Sequence, residues 1–460
     1  MTLIKSISGI RGEIGGKSGE NLTPIDIVEC TAGYGHWLMQ NSGSNKVVIG
    51  RDARISGSTV QALVTNTLLM MGINVVDLDL STTPTVEIAV PEAHAGGGII
   101  LTASHNPRQW NALKFLNHKG EFISAEDGRQ ILEYIEEKAF DFATVDELGT
   151  YEKDTSFIAK HINKILRLDI VQQEKVRSKR FKVVVDCINS TGAISIAPLL
   201  DKLRCDYVLL NEEMTGDFAH NPEPLAKHLT QICQAVVENK ADLGIVVDPD
   251  VDRLAFISED GTLFGEEYTL VAIADMILSQ TPGNTVSNLS STRALRDVTN
   301  AYPDSVYHAS AVGEVNVVTK MKAVNAVIGG EGNGGIIYPK LHYGRDALVG
   351  IAMFLSLLAE RDIKASELKA SYPSYLMAKE KIQLTPDMDI PHILKSVEAS
   401  FADESLNKED GLKIDFEDGW VHLRKSNTEP IIRIYAEAKD EKTLNKLITS
   451  VRVEVDSITV

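Results

Sequence analysis

The stretch VVIGRDARISGSTVQALVTNTLLMMGINVVDLDL, residues 47–80, decides the architecture. Val47 to Gly50 form an apolar run of strand length, and Arg51 to Gly57 a polar loop. From Ser58 the apolar positions Val60, Leu63, Val64, Leu68 and Met71 keep helical spacing until Gly72 supplies a stop. Ile73 to Leu80 then read as a second strand, which completes a β-α-β unit. The plan recurs from Phe181: Lys182 to Val185, a loop with Asp186, Asn189 and Gly192, a helix, and the strand Tyr207 to Leu210. A third copy starts near Thr285, where Val286 leads to the loop Ser290 to Arg293, a helix, and Val306 to Ala309. Repeated units of this kind predict three related α/β domains with mixed or parallel sheets, their functional loops at strand C-terminal ends. The last segment differs. Lys379 to Leu384, Leu412 to Phe416, Trp420 to Leu423 and Ile431 to Ala436 read as strands among helices, a smaller α+β domain. The expected domains are 1–153, 154–256, 257–371 and 372–460.

Length and composition agree. At 460 residues the chain is too long for one ordinary core. With 43% hydrophobic and 24% charged residues it is neither disordered nor a coiled coil. The net charge of −18 opposes nucleic acid and anionic membranes, so any bound phosphate needs locally concentrated basic groups. Cys30, Cys187, Cys205 and Cys233 form no C-x-x-C pair or zinc cluster and read as reduced structural thiols. No signal peptide and no membrane-length apolar run is seen, which predicts a cytoplasmic protein.

Four loops are candidates for chemistry. Thr102-Ala103-Ser104-His105-Asn106-Pro107 follows the Gly-rich apolar strand Gly97 to Leu101. Asn106-Pro107 suits a plain surface turn; the alternative is a Ser104 hydroxyl presented at a strand end, with His105 and Lys114 for proton transfer or charge stabilisation. No G-x-S-x-G elbow surrounds Ser104, which weighs against a hydrolase triad. The second loop, Asp248-Pro249-Asp250-Val251-Asp252-Arg253, follows the buried-type strand Leu243 to Val247. Three carboxylates crowded there would repel unless a cation neutralised them, and their oxygens suit Mg²⁺. Glu259 falls at the twelfth position of a calcium loop, but Arg253 in the required glycine position and the preceding strand weigh against an EF-hand.

The third loop, Gly329-Gly330-Glu331-Gly332-Asn333-Gly334-Gly335, satisfies G-x-G-x-x-G literally, but Ile336 to Pro339 continue extended where a dinucleotide site needs a helix. It is either a flexible turn or a site where Glu331 and Asn333 bond sugar hydroxyls. The fourth, Arg424-Lys425-Ser426-Asn427-Thr428-Glu429-Pro430 with Arg433 beyond, suits a phosphate cradle and equally a salt-bridged turn through Glu429 and Arg433.

With these loops in this order the sequence resembles the α-D-phosphohexomutase family over essentially its whole length. That family has a T/S-A-S-H-N-P phosphoserine loop, a D-x-D-x-D-R magnesium loop, a G-E-x-S/N-G sugar loop and an R-x-S-x-T-E-P phosphate loop; Ser8 to Gly12 and Arg51, Asp52 and Arg54 match further elements. The resemblance implies four domains around a central cleft. It implies phosphoserine at Ser104, one Mg²⁺ held by Ser104, Asp248, Asp250 and Asp252, and Arg11, Lys114, His105 and Arg253 beside the reacting phosphoryl group. Glu331 and Asn333 would face the sugar, and Arg424, Ser426, Asn427, Thr428 and Arg433 would hold its other phosphate. The implied activity interconverts hexose 6- and 1-phosphates through a sugar 1,6-bisphosphate, by a monomer or dimer, with glucosamine ahead of glucose and mannose. Pro249 and Val251 replace the glycines of the commonest magnesium loop, and Gly334-Gly335 stand where a Gly-His pair is common. A haloacid-dehalogenase-type phosphatase with Asp248 as nucleophile, or a nonenzymatic sugar-phosphate binder, are the competing readings.

Overall fold

A computed structural model describes residues 2–6, 9–383, 388–425 and 431–459. The chain forms two compact units, Met1–Thr269 with Asn333–Glu367, and Leu270–Gly332 with Leu368–Val460.

The first unit holds two sheets. One runs Ile4–Ser6, Gly9–Glu13, Trp110–Leu116, Gly97–Leu101, Lys46–Arg51, Asn74–Leu80, Tyr151–Lys153. It is antiparallel through its first four strands and parallel across the rest. The deciding stretch forms as expected: strand Lys46–Arg51, helix Gly57–Met70 and strand Asn74–Leu80, with Gly72 at φ +78° where the helix stops. Val47, Ile49, Val64, Leu68 and Val75 bury together with the helix Pro24–Asn41 and the strand residues Ile99 and Leu101. The second sheet runs Leu254–Ser258, Leu243–Val247, Lys182–Asp186, Asp206–Leu210, antiparallel only in its first pair. The apolar helix Ala347–Arg361 belongs here too, with Phe354 stacked on Phe256 at 3.9 Å between ring centroids.

In the second unit Tyr307–Ser310, Thr285–Asn288 and Ile328–Glu331 pair in parallel. An antiparallel sheet follows in the order Leu376–Gln383, Ile431–Ala438, Gly419–Lys425, Leu412–Asp415, Ser405–Asn407. The short strand Ser405–Asn407 has too little alternation to be seen in the sequence. Every other C-terminal strand lies where the patterning puts it. Two helices, Ile390–Ser400 and Glu441–Thr459, cover this sheet's apolar face. All four cysteines are free, and burial pushes the Cys30 thiol up to about 12. Among the described residues no helix is long and apolar enough to cross a membrane.

Candidate active site

Both reactive loops of the first unit sit at C-terminal ends of parallel strands, where backbone groups leave the ladder and point outward. The Gly97–Leu101 strand delivers Ser104, and the Leu243–Val247 strand delivers the aspartates.

Ser104 takes the left-handed backbone region, φ +48°, an unfavourable conformation for a residue other than glycine that persists only when its surroundings enforce it. The enforcer is Arg54. Its Nε donates to Asp52 Oδ2 (3.1 Å), Nη1 to the carbonyls of Pro107 (2.8 Å) and Trp110 (2.9 Å), and Nη2 to those of Ser104 (2.6 Å) and Asn106 (2.7 Å). All five guanidinium N–H groups are thus engaged, on a side chain that is fully buried. Asp52 also accepts from the Thr102 hydroxyl (2.6 Å), whose oxygen in turn accepts the Ser104 N–H (2.9 Å).

Asp248, Asp250 and Asp252 are completely buried, with carboxylate oxygens within 4.8 Å of one another. Asp248 Oδ1 accepts the backbone N–H groups of Asp252 and Arg253, both at 3.1 Å, and Asp248 Oδ2 accepts the Ser104 hydroxyl at 2.7 Å. Asp250 Oδ2 takes Lys114 Nζ (2.9 Å) and the Thr83 hydroxyl (2.7 Å); Asp252 Oδ2 takes Arg345 Nη2 (2.7 Å). Asp250 Oδ1 and Asp252 Oδ1 are buried and accept no hydrogen bond. Burial drives the Asp248 carboxyl well above the usual range, and the charges of Asp250 and Asp252 push the same way. Asp252 is also raised by burial, with Arg345 opposing, whereas Lys114 overcomes burial and holds Asp250 low. Two orphaned anionic oxygens in an all-oxygen cluster are the donor set of a hard divalent cation, so the residues fit Mg²⁺.

Val251, in the middle of this loop, has φ +59° and a fully buried side chain. A β-branched residue is poorly suited to that conformation, which accounts for glycine being the commoner choice in such loops. The loop closes regardless, through Val251 N–H to the Asp248 carbonyl (3.1 Å) and Ala347 N–H to the Val251 carbonyl (3.2 Å).

The remaining expected groups divide. Arg253 Nε stands 4.0 Å from both Asp248 and Asp252. Burial and the Arg253 charge lower Arg11, and Arg253, burial and Arg11 together hold His105 well below its ordinary value. Two guanidiniums and a neutral imidazole therefore share one environment. Burial depresses Lys114, but Asp250 and Asp252 outweigh it and keep the ammonium charged.

Models of all four domains of one family match in series: phosphoglucomutase/phosphomannomutase alpha/beta/alpha domains I, II and III at residues 3–142, 159–261 and 265–375, and the C-terminal domain at 380–453. The chain belongs to the phosphoglucomutase/phosphomannomutase family. As a phosphohexomutase it is an isomerase. It is 31% identical to the phosphoglucosamine/phosphogalactosamine mutase of Sulfurisphaera tokodaii over 97% of this chain and 98% of that one. To the phosphoglucomutase/phosphomannomutase of Thermococcus kodakarensis it is 33% identical over 94% of each. Its fold matches the crystal structure of a family protein from Burkholderia thailandensis with a TM-score of 0.86 at 23% identity, covering 99% of this chain and 97% of that one.

The other expected site residues among those described engage partners of their own units. Asn333, in the first unit, folds onto its own loop, Oδ1 accepting Gly335 N–H at 3.1 Å. Glu331, Arg424 and Arg433 belong to the second unit. Glu331 is nearly buried and accepts from Asn288 Nδ2 (2.8 Å) and Gly313 N–H (3.1 Å). Arg424 and Arg433 are direct cross-strand partners, with Asp410 Oδ2 3.2 Å from Arg424 Nε. Ser426, Asn427 and Thr428 fall outside the described residues, as does Ser8.

Sequence reasoning missed Thr83 and Arg345, which supply direct contacts to the aspartates. Thr82-Thr83-Pro84 after a strand is a helix start, and Asp346 before an apolar run is an N-cap. Those signals locate the residues in the fold but not their partner 93 or 167 positions away.

Proposed function

We propose that this phosphohexomutase is a phosphoglucosamine mutase working through phosphoserine at Ser104 and a sugar 1,6-bisphosphate. The observation that carries the mechanism is the Ser104 hydroxyl seated on Asp248 inside the carboxylate triad. Asp248, Asp250, Asp252 and the oxygen carried on residue 104 would hold Mg²⁺, which when bound draws charge from phosphoryl oxygens. The P–Oγ bond at Ser104 breaks as a sugar hydroxyl oxygen bonds to phosphorus, and the proton of that hydroxyl passes, in net terms, to Ser104 Oγ. Ser104 Oγ is reprotonated and regains its bond to Asp248. Return of the other phosphate to Ser104 Oγ reverses these steps.

Arg253 and Arg11 supply fixed positive charge for the transferring group, and Lys114, charged and bound to Asp250, stabilises charge rather than accepting a proton. The neutral His105 serves as a hydrogen-bonding group beside them. Arg424 and Arg433, opposed across two strands so that two guanidiniums stand side by side, are assigned to the phosphate cradle. Glu331 and Asn333 are assigned to the sugar hydroxyls.

Glucosamine is favoured by the G-E-G-N-G-G loop and by the Sulfurisphaera relative's name; the Thermococcus relative's name favours glucose and mannose as the second reading. Comparing kcat/KM for the three 6-phosphates with bisphosphate activator present decides between them, and preference for glucose or mannose phosphate would overturn the first. Phosphopeptide mapping tests the mechanism. An alkali-labile acyl phosphate on Asp248, in place of phosphoserine, would assign the nucleophile to the aspartate as in dehalogenase-type phosphatases.

A further inference from the structure

A second cluster of ligating side chains lies apart from the aspartate triad, on three elements of the first unit. Glu87 and Thr85 are on the helix Thr83–Glu92, His161 on the helix Phe157–Leu166, and His342 and Asp346 in the segment leading into the helix Ala347–Arg361. His161, Asp346 and Glu87 are fully buried, and the His342 side chain is 12% exposed.

The arrangement is convergent. His161 Nε2 lies 2.8 Å and His342 Nε2 3.2 Å from the same atom, Asp346 Oδ2. The two imidazole planes stand at 88° to each other, so their lone-pair directions approach that oxygen from different sides. Asp346 Oδ1 is already committed to capping the helix through the N–H groups of Leu348 (2.8 Å) and Val349 (3.2 Å), which fixes Oδ2 toward the histidines. The outer nitrogen of His161, Nδ1, is held by the Thr85 hydroxyl at 2.9 Å, while Glu87 Oε2 stands 3.2 Å from His342 Nδ1 as an ionic neighbour without hydrogen-bond geometry. An outer hydrogen-bond partner on one ring and a carboxylate beside the outer nitrogen of the other are the surroundings that orient metal-bound histidines.

We propose that His161, His342 and Asp346 form a second metal site, selective for a nitrogen-favouring divalent ion such as Zn²⁺ or Co²⁺ over Mg²⁺. Two imidazoles and one carboxylate suit a four-coordinate ion, with ligand bonds of about 2.0–2.2 Å and the fourth position left for water on the His342 side. The three donor atoms lie within 4.8 Å of one another, close enough to share one centre. The site has a structural consequence. Thr83, which bonds Asp250, begins the helix carrying Glu87, and Arg345, which bonds Asp252, adjoins Asp346. An ion here would fix the two supports of the triad against each other, a positioning role.

The probe is Co²⁺, added to metal-stripped full-length protein with Mg²⁺ in excess. One tightly held Co²⁺ per chain is expected, with the intense visible bands of a low-coordinate site and an X-ray absorption edge fitting two imidazole nitrogens. The bands should be lost in His342→Gln and kept in Asp248→Asn, with circular dichroism reporting the fold of each. Absence of such bands in the native chain overturns the proposal without recourse to any variant. So does a signal that survives His342→Gln or disappears in Asp248→Asn.

Discussion

Arg345 Nη2 donates to Asp252 Oδ2 at 2.7 Å, and neither side chain is more than 10% exposed. Removing the arginine strands a buried carboxylate beside two others. Arg345→Met is therefore expected to destabilise the first unit by about 3–5 kcal/mol, the range for breaking a buried pair from one side. Because a cation at the triad neutralises the same carboxylate, Mg²⁺ should recover a large part of the loss. Urea denaturation with and without Mg²⁺ measures both; a deficit unchanged by Mg²⁺ would show that Asp252 is not part of the metal site.

Ser104→Ala is expected to abolish mutase turnover at a stability cost of about 1 kcal/mol, the loss of one buried hydrogen bond. The loop position should not change, because Arg54 holds it by carbonyls. Turnover assays and intact-mass analysis check this together: a phosphate on the native chain only, and no mutase activity in the variant. Native-like turnover in Ser104→Ala would remove this residue from the mechanism.

Arg424→Ala should raise KM for every accepted phosphosugar alike, by a factor of roughly 10–150, since a charge-assisted contact is worth about 1.5–3 kcal/mol. Glu331→Ala and Asn333→Ala should instead change the ratios among glucosamine, glucose and mannose phosphates, because only hydroxyl and amino contacts tell these sugars apart. Reordered sugars in Arg424→Ala, with ratios untouched in Glu331→Ala, would reverse the two assignments.

Lys413 gives a pH dependence of known sign. Burial lowers its ammonium to about 8, with Asp415 and Glu437 opposing, while its Nζ donates to the Leu289 carbonyl at 2.8 Å and lies 4.1 Å from the centre of the Trp420 ring. Between pH 8 and the ordinary lysine value of about 10.4 the unfolded chain binds more protons at this position than the folded one, so its contribution to stability rises with pH. The stability difference between the native chain and Lys413→Met should therefore shift in the native chain's favour from pH 7.5 to pH 9.5. Urea midpoints at the two values test it, and a flat or falling difference contradicts the assignment.

What could be read from the sequence follows the range of the forces involved. The strand and helix over 46–70 and the C-terminal strands depend on periodicity, a local property, and they form where the apolar spacing puts them. Ser104 and the three aspartates were visible because each loop is continuous in sequence and dense in unusual residue types. Thr83, Arg345 and the His161–His342–Asp346 cluster were not visible. Each is an ordinary residue, Thr83, His342, Arg345 and Asp346 at or before helix starts and His161 in mid-helix, and only the packing of distant elements turns it toward a partner. The five-donor grip of Arg54 was hidden for a different reason. Its acceptors are backbone carbonyls, which every residue has.

That last property separates position from chemistry. A loop registered largely through main-chain oxygens depends little on the side chain at 104, so that position resembles an interchangeable tool in a fixed holder. Cysteine, aspartate or glycine at this point would meet the same carbonyl clamp and the same neighbouring carboxylates, with only the presented atom altered. The fold therefore offers a testbed in which the group presented at position 104 can be exchanged while its location stays constant.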